Sequence, residues 1–252
     1  MHVRSTALQI STIIGLIAMA TGVTTTPAAA SPPQRETCSA TIVVGVDGTL
    51  KVGKPTSTVH PILEALAERG AQTSRIDYPG EISPLGTHTY DRSKEIGIDE
   101  LREQIARAHT ACPDTAVRVV GFSQGAAIAG DVLAELARDP DRPQDLAGLL
   151  IADPRTPGTG AEVVTPGALP GASMTGERPG FGTVPVATVC AVGDAVCDMV
   201  DPHTDPVQAA HRIAGYFELH QHYGTLTVDG RPFVEAMVDL VEQPRPTTIR
   251  IG

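Results

Sequence analysis

A serine framed by two glycines is the residue of this chain with the clearest chemical potential. Ser123 stands in Gly121-Phe-Ser-Gln-Gly125, which matches the G-x-S-x-G pattern of a nucleophile elbow. In that pattern the serine lies on a tight turn between a strand and a helix, so both flanking positions need small residues. The hydroxyl would be exposed at a helix N-terminus, where developing negative charge is favoured. The pattern predicts a nucleophile, and the alternative is a structural Gly-Ser turn.

A nucleophilic serine needs a general base, and four histidines follow it in the chain: His203, His211, His220 and His222. His211 falls inside a predicted amphipathic helix and is interpreted as structural. His203 stands in an acidic, proline-containing stretch and is interpreted as a solvated loop residue. His220 and His222 come just after the helix, where a loop could carry either one to the serine. Spacing alone leaves both of these open.

The base in turn needs an orienting carboxylate, and two aspartates follow predicted strands at suitable places. Asp153 ends the strand after the elbow helix, and Asp194 ends the next strand. Asp194 also lies between Cys190 and Cys197, and a disulfide there would fix the loop that carries the carboxylate. Aspartates at strand ends usually serve turns or helix caps. The pattern favours Asp194 over Asp153 without excluding either.

An oxyanion intermediate would need two backbone N–H groups. One is expected from Gln124, the residue after the nucleophile. The other is expected from the loop after the first strand, around Gly48-Thr49. The alternative for this loop is an ordinary tight turn at Asp47-Gly48.

These residues need a scaffold, and strands alternate with helices along the chain. β-branched or apolar runs predict strands over residues 41–45, 75–78, 116–120, 146–152 and 184–192. Helical spacing of apolar residues predicts helices between them, over residues 59–66, 93–109, 126–138 and 205–217. Alternation of this kind is typical of an α/β fold with a central, mainly parallel sheet and helices on both faces. Ligands bind such folds at the carboxyl ends of the strands, where Ser123, Asp153 and Asp194 are expected.

Two segments of the second half have distinct patterns. The last predicted helix is amphipathic and carries Val207, Ala210, Ala214 and Phe217 on one face. Residues 158–182, earlier in the chain, are rich in glycine and proline, have no periodicity, and are interpreted as a flap over a site.

The ends of the chain differ from its middle. Residues 1–30 have a basic start, an apolar run and Ala28-Ala-Ala30, which together predict a cleaved signal peptide, with an uncleaved anchor as the alternative. One compact α/β domain is then expected over residues 31–241. Residues 242–252 are rich in proline and threonine and are predicted to be a flexible tail. A signal peptide predicts a secreted or envelope-associated protein without stable membrane insertion after cleavage.

Composition restricts the partners. The net charge of −10 and the scattered basic residues argue against nucleic acid and against anionic lipid surfaces. There is no aromatic stripe that would indicate a dimer face, so a monomer is expected. In an exported chain four cysteines indicate disulfides, with three possible pairings, and a zinc site is the less favoured alternative.

Together these residues resemble the cutinase-like serine esterases over roughly residues 38–224. The likeness is carried by four features: Cys112-Pro-Asp-Thr leading to the elbow, Cys190-Ala-Val-Gly-Asp-Ala-Val-Cys197, His220-Gln-His-Tyr-Gly224, and Cys38 before the first strand. The resemblance implies a three-layer α/β-hydrolase fold. It implies a triad of Ser123, Asp194 and His220, an oxyanion hole at the backbone of Gln124 and Thr49, and disulfides Cys38–Cys112 and Cys190–Cys197.

The chain departs from that family in the loop Val46-Asp-Gly-Thr49 and in the longer interval from Asp194 to His220. Both departures, and the segment of residues 151–158, are more similar to the PE-PPE hydrolase domain of actinobacteria. The departures put the role of Thr49 in question and keep His222 as the alternative to His220.

The resemblance implies a secreted serine esterase that cleaves carboxylic acyl or lipid esters and needs no metal or cofactor. Two alternatives use the same triad, namely an acyltransferase and a phospholipase. A third alternative is a secreted binding protein that has the fold but no turnover.

Overall fold

A six-stranded sheet forms the middle layer of the molecule. The computed structural model describes residues 38–168, 171–173 and 176–252, so the predicted signal peptide lies outside the described residues. The sheet strands are, in chain order, Thr41–Val46 (β1), Gln72–Arg75 (β2), Ala116–Phe122 (β3), Leu146–Ile151 (β4), Val186–Ala191 (β5) and Thr247–Ile251, which is β8. Their spatial order is β2-β1-β3-β4-β5-β8, and every pair is parallel. A short antiparallel pair, Thr227–Val228 (β6) and Arg231–Pro232 (β7), lies apart from it.

Helices cover both faces of this sheet. They are Val59–Glu68 (α1), Tyr90–Ala111 (α2), Gln124–Leu136 (α3), Ala161–Val164 (α4), Pro206–Gly215 (α5) and Phe233–Glu242, which is α6. α1 and α6 pack in one core with Val43, and α2 and α3 pack in the other core with Val44. The three-layer α/β-hydrolase class predicted from the sequence is confirmed. In the described part of the chain, no helix has both the length and the apolarity that a membrane span requires.

The apolar character of the strands follows from this layering. Neighbouring residues of a strand point to opposite faces, and here both faces are covered by helices. Val43 and Val44 are therefore both fully buried, one in each core. Burial of one such side chain stabilises the fold by roughly 1.5–3 kcal/mol, which explains why the inner strands β1 and β4 are nearly continuous apolar runs rather than alternating ones.

The C-terminal segment corrects the sequence interpretation. The prediction of a flexible tail over residues 242–252 is wrong, because β8 extends the sheet by pairing with β5. Its half-buried and exposed residues alternate, as expected for an edge strand of which only one face is covered. The prolines that precede β8 do not interrupt it, because they fall in the connection after α6 rather than in the strand.

The face of α5 also differs from the expected amphipathic pattern. Val207, Ala210, Ala214 and Phe217 do share a side, but all four are exposed. The helix instead buries Ala209 and Gly215. A Cβ at Gly215 would lie 2.2 Å from the carbonyl oxygen of Gly193, so the backbone packs directly on the loop after β5.

Ion pairs and one short helix hold the glycine-rich segment, of which residues 169, 170, 174 and 175 lie outside the described residues. Glu162, on α4, accepts a hydrogen bond from the buried Lys94 of α2 at 2.9 Å. Arg178 contacts both carboxylate oxygens of Asp153 and lies 2.9 Å from a carboxylate oxygen of Asp131 on α3. The role of residues 158–182 as a flap remains a prediction. The contacts of Glu162 and Arg178 show where this segment is attached to the rest of the fold.

Two disulfides close the chain on itself. Cys38, just before β1, is bonded to Cys112 at the end of α2, and Cys190 at the end of β5 is bonded to Cys197. These pairings are the two that the resemblance implied. The second one closes a loop of a few residues directly after β5.

Candidate active site

Ser123 occupies a strained turn between β3 and α3. Its backbone has φ 58° and ψ −123°, a conformation that residues other than glycine rarely adopt. The glycines make this turn possible. A Cβ at Gly121 would lie 2.5 Å from the carbonyl oxygen of Gly125, and one at Gly125 would lie 2.2 Å from that of Val46. The strained elbow therefore places the serine hydroxyl at the start of α3, as its sequence pattern predicts.

His220 is the histidine that reaches this serine. It ends the π-helical turn Tyr216–His220 that continues α5, and its Nε2 lies 2.9 Å from Oγ of Ser123. His222 is exposed, and its Nδ1 contacts the carbonyl oxygen of Glu218 instead. His203 and His211 are exposed as well. Of the two histidines left open by the sequence, the fold brings His220 to Ser123.

Asp194 is the carboxylate that reaches this histidine. It is fully buried in the loop closed by Cys190–Cys197, and its Oδ2 lies 2.8 Å from Nδ1 of His220. Its other oxygen, Oδ1, accepts a hydrogen bond from the backbone N–H of Val196 at 2.9 Å. Both carboxylate oxygens thus have partners, and the imidazole is oriented by one of them.

Asp153 has a different role. Its carboxylate is buried against the guanidinium of Arg178, and Oδ1 also accepts the backbone N–H of Arg155 at 3.0 Å. Burial alone would lower the pKa of Arg178, but the charges and hydrogen bonds of Asp153 and Asp131 outweigh it and raise that pKa above its ordinary value. The structure therefore uses Asp153 as an anchor for the segment after β4.

A tyrosine that sequence reasoning did not assign completes the carboxylate's surroundings. Tyr223 is fully buried, and its hydroxyl donates to Oδ2 of Asp194 at 2.9 Å while accepting the N–H of Ala191 at 2.9 Å. Burial, followed by the charge of Asp194, raises the pKa of Tyr223 well above its usual value, so the hydroxyl remains a donor. The His220-Gln-His-Tyr segment was the available sequence signal for it.

The loop after β1 lies directly beside the elbow. A Cβ at Gly48 would lie 2.9 Å from the ring of Phe122 and 3.1 Å from Cβ of Ser123. The hydroxyl of Thr49 donates to Oε1 of Gln124 at 3.4 Å. The fold thus places Thr49 beside Gln124, the residue that follows Ser123, and the oxyanion hole at these two residues remains a prediction.

Asp47 holds this loop, a role that the sequence did not reveal. Its buried carboxylate accepts the N–H of Gly53 at 3.0 Å and the hydroxyl of Ser57, and Arg75 lies 3.3 Å from Oδ2. Tyr78 donates its hydroxyl to the backbone carbonyl of Asp47 at 2.5 Å. The Asp47-Gly48 segment is therefore more than an ordinary tight turn, because the buried carboxylate of Asp47 holds this loop next to Ser123.

Among the described residues, no group of three or more His, Cys, Asp or Glu side chains is arranged to hold a metal ion. The chemistry that this arrangement can do is proton transfer from the hydroxyl of Ser123 to His220, with the imidazole oriented by Asp194, next to backbone N–H groups at a helix start.

Comparison with known proteins agrees with this geometry. Residues 37–224 match the family model described as Cutinase. The chain is 32% identical over 233 residues to the carboxylesterase Culp6 homolog of Corynebacterium glutamicum, covering 75% of this chain and 74% of that protein. It is also 32% identical over 168 residues to the uncharacterized PPE family protein PPE28 of Mycobacterium tuberculosis, but it covers only 24% of that protein.

Solved structures show a more distant likeness. The catalytic core domain of acetyl xylan esterase from Trichoderma reesei has 20% identity and a TM-score of 0.48, over 73% of this chain and 98% of that one. A cutinase-like protein from Cryptococcus sp. has 19% identity and a TM-score of 0.45, over 74% of this chain and 98% of that one. Both scores are below 0.5, so the fold is assigned from the sheet and helices themselves.

Proposed function

The chain belongs to the cutinase family and is a carboxylic ester hydrolase, and from that premise we propose that it is a secreted enzyme in which Ser123, His220 and Asp194 act as a catalytic triad. The observation that carries the proposal is the continuous contact from Oγ of Ser123 to Nε2 of His220 and from Nδ1 of His220 to Asp194, at 2.9 Å and 2.8 Å. Both are hydrogen-bond distances, so His220 can accept the proton of Ser123 while Asp194 orients the imidazole.

The first half of the reaction forms an acyl-enzyme. Oγ of Ser123 attacks the ester carbonyl while Nε2 of His220 takes the hydroxyl proton, and Asp194 holds the tautomer and stabilises the imidazolium. The tetrahedral intermediate collapses with loss of the alcohol, which leaves with the proton from Nε2. The ester bond to the alcohol breaks, and a new ester bond to Ser123 forms.

The second half releases the acid. Water gives a proton to Nε2 of His220 as its oxygen attacks the acyl-enzyme carbonyl. Collapse of this second intermediate returns the proton to Oγ of Ser123 and frees the carboxylic acid. No redox partner or metal enters this balance.

Backbone N–H groups of Gln124 and Thr49 would stabilise the oxyanion in both intermediates. Support comes from the start of α3 at Gln124 and from the hydrogen bond that joins the two side chains. The loop at Thr49 is preorganised by the buried carboxylate of Asp47, so little reorganisation would be needed during the reaction.

Export is supported by the cysteines. All four form disulfides, which persist in oxidising compartments. The natural substrate is proposed to be an acyl or lipid ester, in line with the family.

The experiment uses the exported chain with a fluorophosphonate probe and p-nitrophenyl esters of several acyl lengths. Ser123→Ala is the test variant, and Ser74→Ala on the edge strand β2 is the matched control. We expect labelling and hydrolysis in wild type and Ser74→Ala, and loss of both in Ser123→Ala. A folded, disulfide-bonded wild type that neither labels nor cleaves any ester would overturn the proposal and indicate a binding protein. Transfer of the acyl group to added alcohols in preference to water would instead identify an acyltransferase.

A further inference from the structure

The imidazole of His220 lies between two aromatic rings. The ring of Phe122 stacks on one face at a centroid distance of 4.8 Å and an interplanar angle of 27°. The ring of Tyr216 stacks on the other face at 4.9 Å and 18°. Phe122 is buried and Tyr216 is half-buried, so the first ring is an inner wall and the second is an outer wall.

Two separate elements hold these walls. Phe122 ends β3 and immediately precedes the nucleophile, so the inner wall is fixed by the central sheet. Tyr216 begins the π-helical turn that His220 ends, so the outer wall and the histidine belong to the same turn. Turns of this type are rare and occur often at functional sites. Phe217 meets Tyr216 edge-on at 5.3 Å and 89°, which supports the outer ring from the solvent side.

This arrangement matters for a ring that must serve two partners at once. Nδ1 and Nε2 point along the ring plane to Asp194 and Ser123, so a tilt of the plane would weaken both contacts together. Stacking on both faces restricts that tilt. The π faces also attract a cation, and the imidazole becomes cationic when it accepts the serine proton.

We propose that Tyr216 is a positioning residue for the ester hydrolysis: its ring closes the outer face of the His220 imidazole, keeps it in line with Ser123 and Asp194, and stabilises the imidazolium form. This inference rests on the triad proposed above. It assigns the residue no contact with substrate.

Besides the rings of Phe122 and Tyr216, several polar and charged groups lie at or near the imidazole of His220. Asp194 lies at Nδ1, Ser123 at Nε2, and the ring of Tyr223 meets the imidazole edge-on at 6.2 Å and 86°. Asp198, on the same loop as Asp194, is paired with two arginines, Arg212 and Arg250. A substitution at Tyr216 therefore changes one wall and leaves these charges in place.

The test compares Tyr216→Leu with Tyr216→Phe. Leucine is apolar and keeps water from the imidazole but has no π face, whereas phenylalanine keeps the stack. We expect Tyr216→Phe to retain wild-type kinetics. We expect Tyr216→Leu to lower kcat about fivefold with little change in KM, and to move the acid limb of the kcat/KM profile down by about half a pH unit, the size of an exposed cation–π contact. Phe181→Leu, which removes a half-buried aromatic ring that packs in the core with α2 and α3, is the control and should leave the acid limb unchanged.

Three results would overturn the proposal. An unchanged profile in Tyr216→Leu would show that the outer ring has no influence on the imidazole. A rise in KM alone would make Tyr216 a substrate contact, and loss of activity in Tyr216→Phe would assign the role to the hydroxyl. Should Tyr216→Leu fail to fold, Tyr216→Met provides the same comparison with an unbranched side chain.

A readout that does not need turnover separates this inference from the proposed function. The titration midpoint of the His220 imidazole can be followed by NMR in folded wild type, Tyr216→Phe and Tyr216→Leu. A lower midpoint in the leucine variant alone supports the stacking role even if Ser123-dependent hydrolysis were absent, in which case the proposed function would be the one to fail. Equal midpoints in all three proteins would contradict the inference while Ser123-dependent hydrolysis stands.

Discussion

The hydroxyl of Tyr223 donates a hydrogen bond of 2.9 Å to Oδ2 of Asp194. This is the same oxygen that contacts Nδ1 of His220, so the tyrosine and the histidine converge on one carboxylate oxygen. Tyr223 also accepts the N–H of Ala191 at the end of β5, which ties the hydroxyl to the sheet. The orientation of the carboxylate is thereby set from two sides.

The first prediction concerns this hydroxyl. Tyr223→Phe removes a donor from a buried carboxylate and leaves the N–H of Ala191 without its acceptor. Loss of a hydrogen bond to a charged group is expected to lower the free energy of unfolding by roughly 1.5–3 kcal/mol. We also expect kcat to fall about tenfold, which corresponds to 1.36 kcal/mol of transition-state stabilisation.

Tyr90→Phe is the matched control for that prediction. Tyr90 is another buried tyrosine whose hydroxyl donates to a carboxylate, Glu162, at 2.5 Å. It should lose similar stability in urea unfolding but keep its kcat. Equal kcat in wild type and Tyr223→Phe would show that the second donor does not orient Asp194 for catalysis.

The second prediction separates the two aspartates that the sequence left open. Asp194→Asn should lower kcat by about four orders of magnitude, because the amide would favour the wrong imidazole tautomer. Asp153→Asn removes the buried carboxylate that pairs with Arg178 but leaves its pair with Asp131, so it should destabilise the fold by roughly 1.5–3 kcal/mol. The folded fraction of each variant, measured by circular dichroism, allows kcat to be calculated per folded molecule. A collapse of kcat in folded Asp153→Asn, with Asp194→Asn near wild type, would reverse the assignment.

The third prediction compares the two disulfides. Replacing Cys38 and Cys112 by serine opens a sequence separation of 74 residues and should cost about 4 kcal/mol by chain entropy, with kcat little changed. Replacing Cys190 and Cys197 opens a separation of 7 residues and should cost only about 2 kcal/mol.

The short disulfide should matter more for activity, because its loop carries Asp194. We expect kcat of the Cys190→Ser/Cys197→Ser double variant to fall roughly tenfold to a hundredfold through misplacement of that carboxylate. The disulfide that contributes less to stability is thus expected to contribute more to activity. Thermal unfolding and steady-state kinetics of both double variants check this opposite ranking. Greater loss of kcat in the Cys38→Ser/Cys112→Ser variant would contradict it.

The fourth prediction concerns pH. Hydrogen bonds from the side chain and backbone of His88, and from Thr87, lower the pKa of Glu81 from its ordinary value of 4.5 to about 2. Because the folded-state pKa is depressed, this carboxylate stabilises the fold above pH 4.5, and its contribution is lost as the pH falls from 4.5 towards 2. Glu81→Gln should therefore flatten the decline of Tm in that window. Glu68→Gln, an exposed glutamate at the end of α1, should keep the wild-type slope, and identical slopes in both variants would disprove the assignment.

Local pattern was sufficient for the fold class and for the strained elbow at Ser123. β-branched runs alternating with helical spacing predict the layered sheet, since each element buries its own apolar residues. Ser123 is recognisable because the elbow needs glycine two residues away on each side, where any Cβ would collide with neighbouring backbone. These constraints act within a few residues, so a short stretch of sequence is enough to recognise them.

Local pattern misled where burial depends on distant partners. The C-terminal stretch was predicted to be a flexible tail because nothing in it shows that the edge of β5 is open for pairing. The apolar side of α5 is exposed because Gly215 brings the helix onto Gly193 by its other side.

Residue patterns alone predict an α/β chain of one domain, a serine elbow, and short lists of acids, bases and cysteine pairings. The choice among those lists comes from the folded chain, in which Asp194 reaches His220 while Asp153 pairs with Arg178, and His220 rather than His222 faces Ser123. Only the folded chain revealed Tyr216 and Tyr223 around the imidazole and the carboxylate. The physical reason is that a hydrogen bond requires atoms within about 3 Å, and residues far apart in the chain acquire that proximity only through packing of the whole fold.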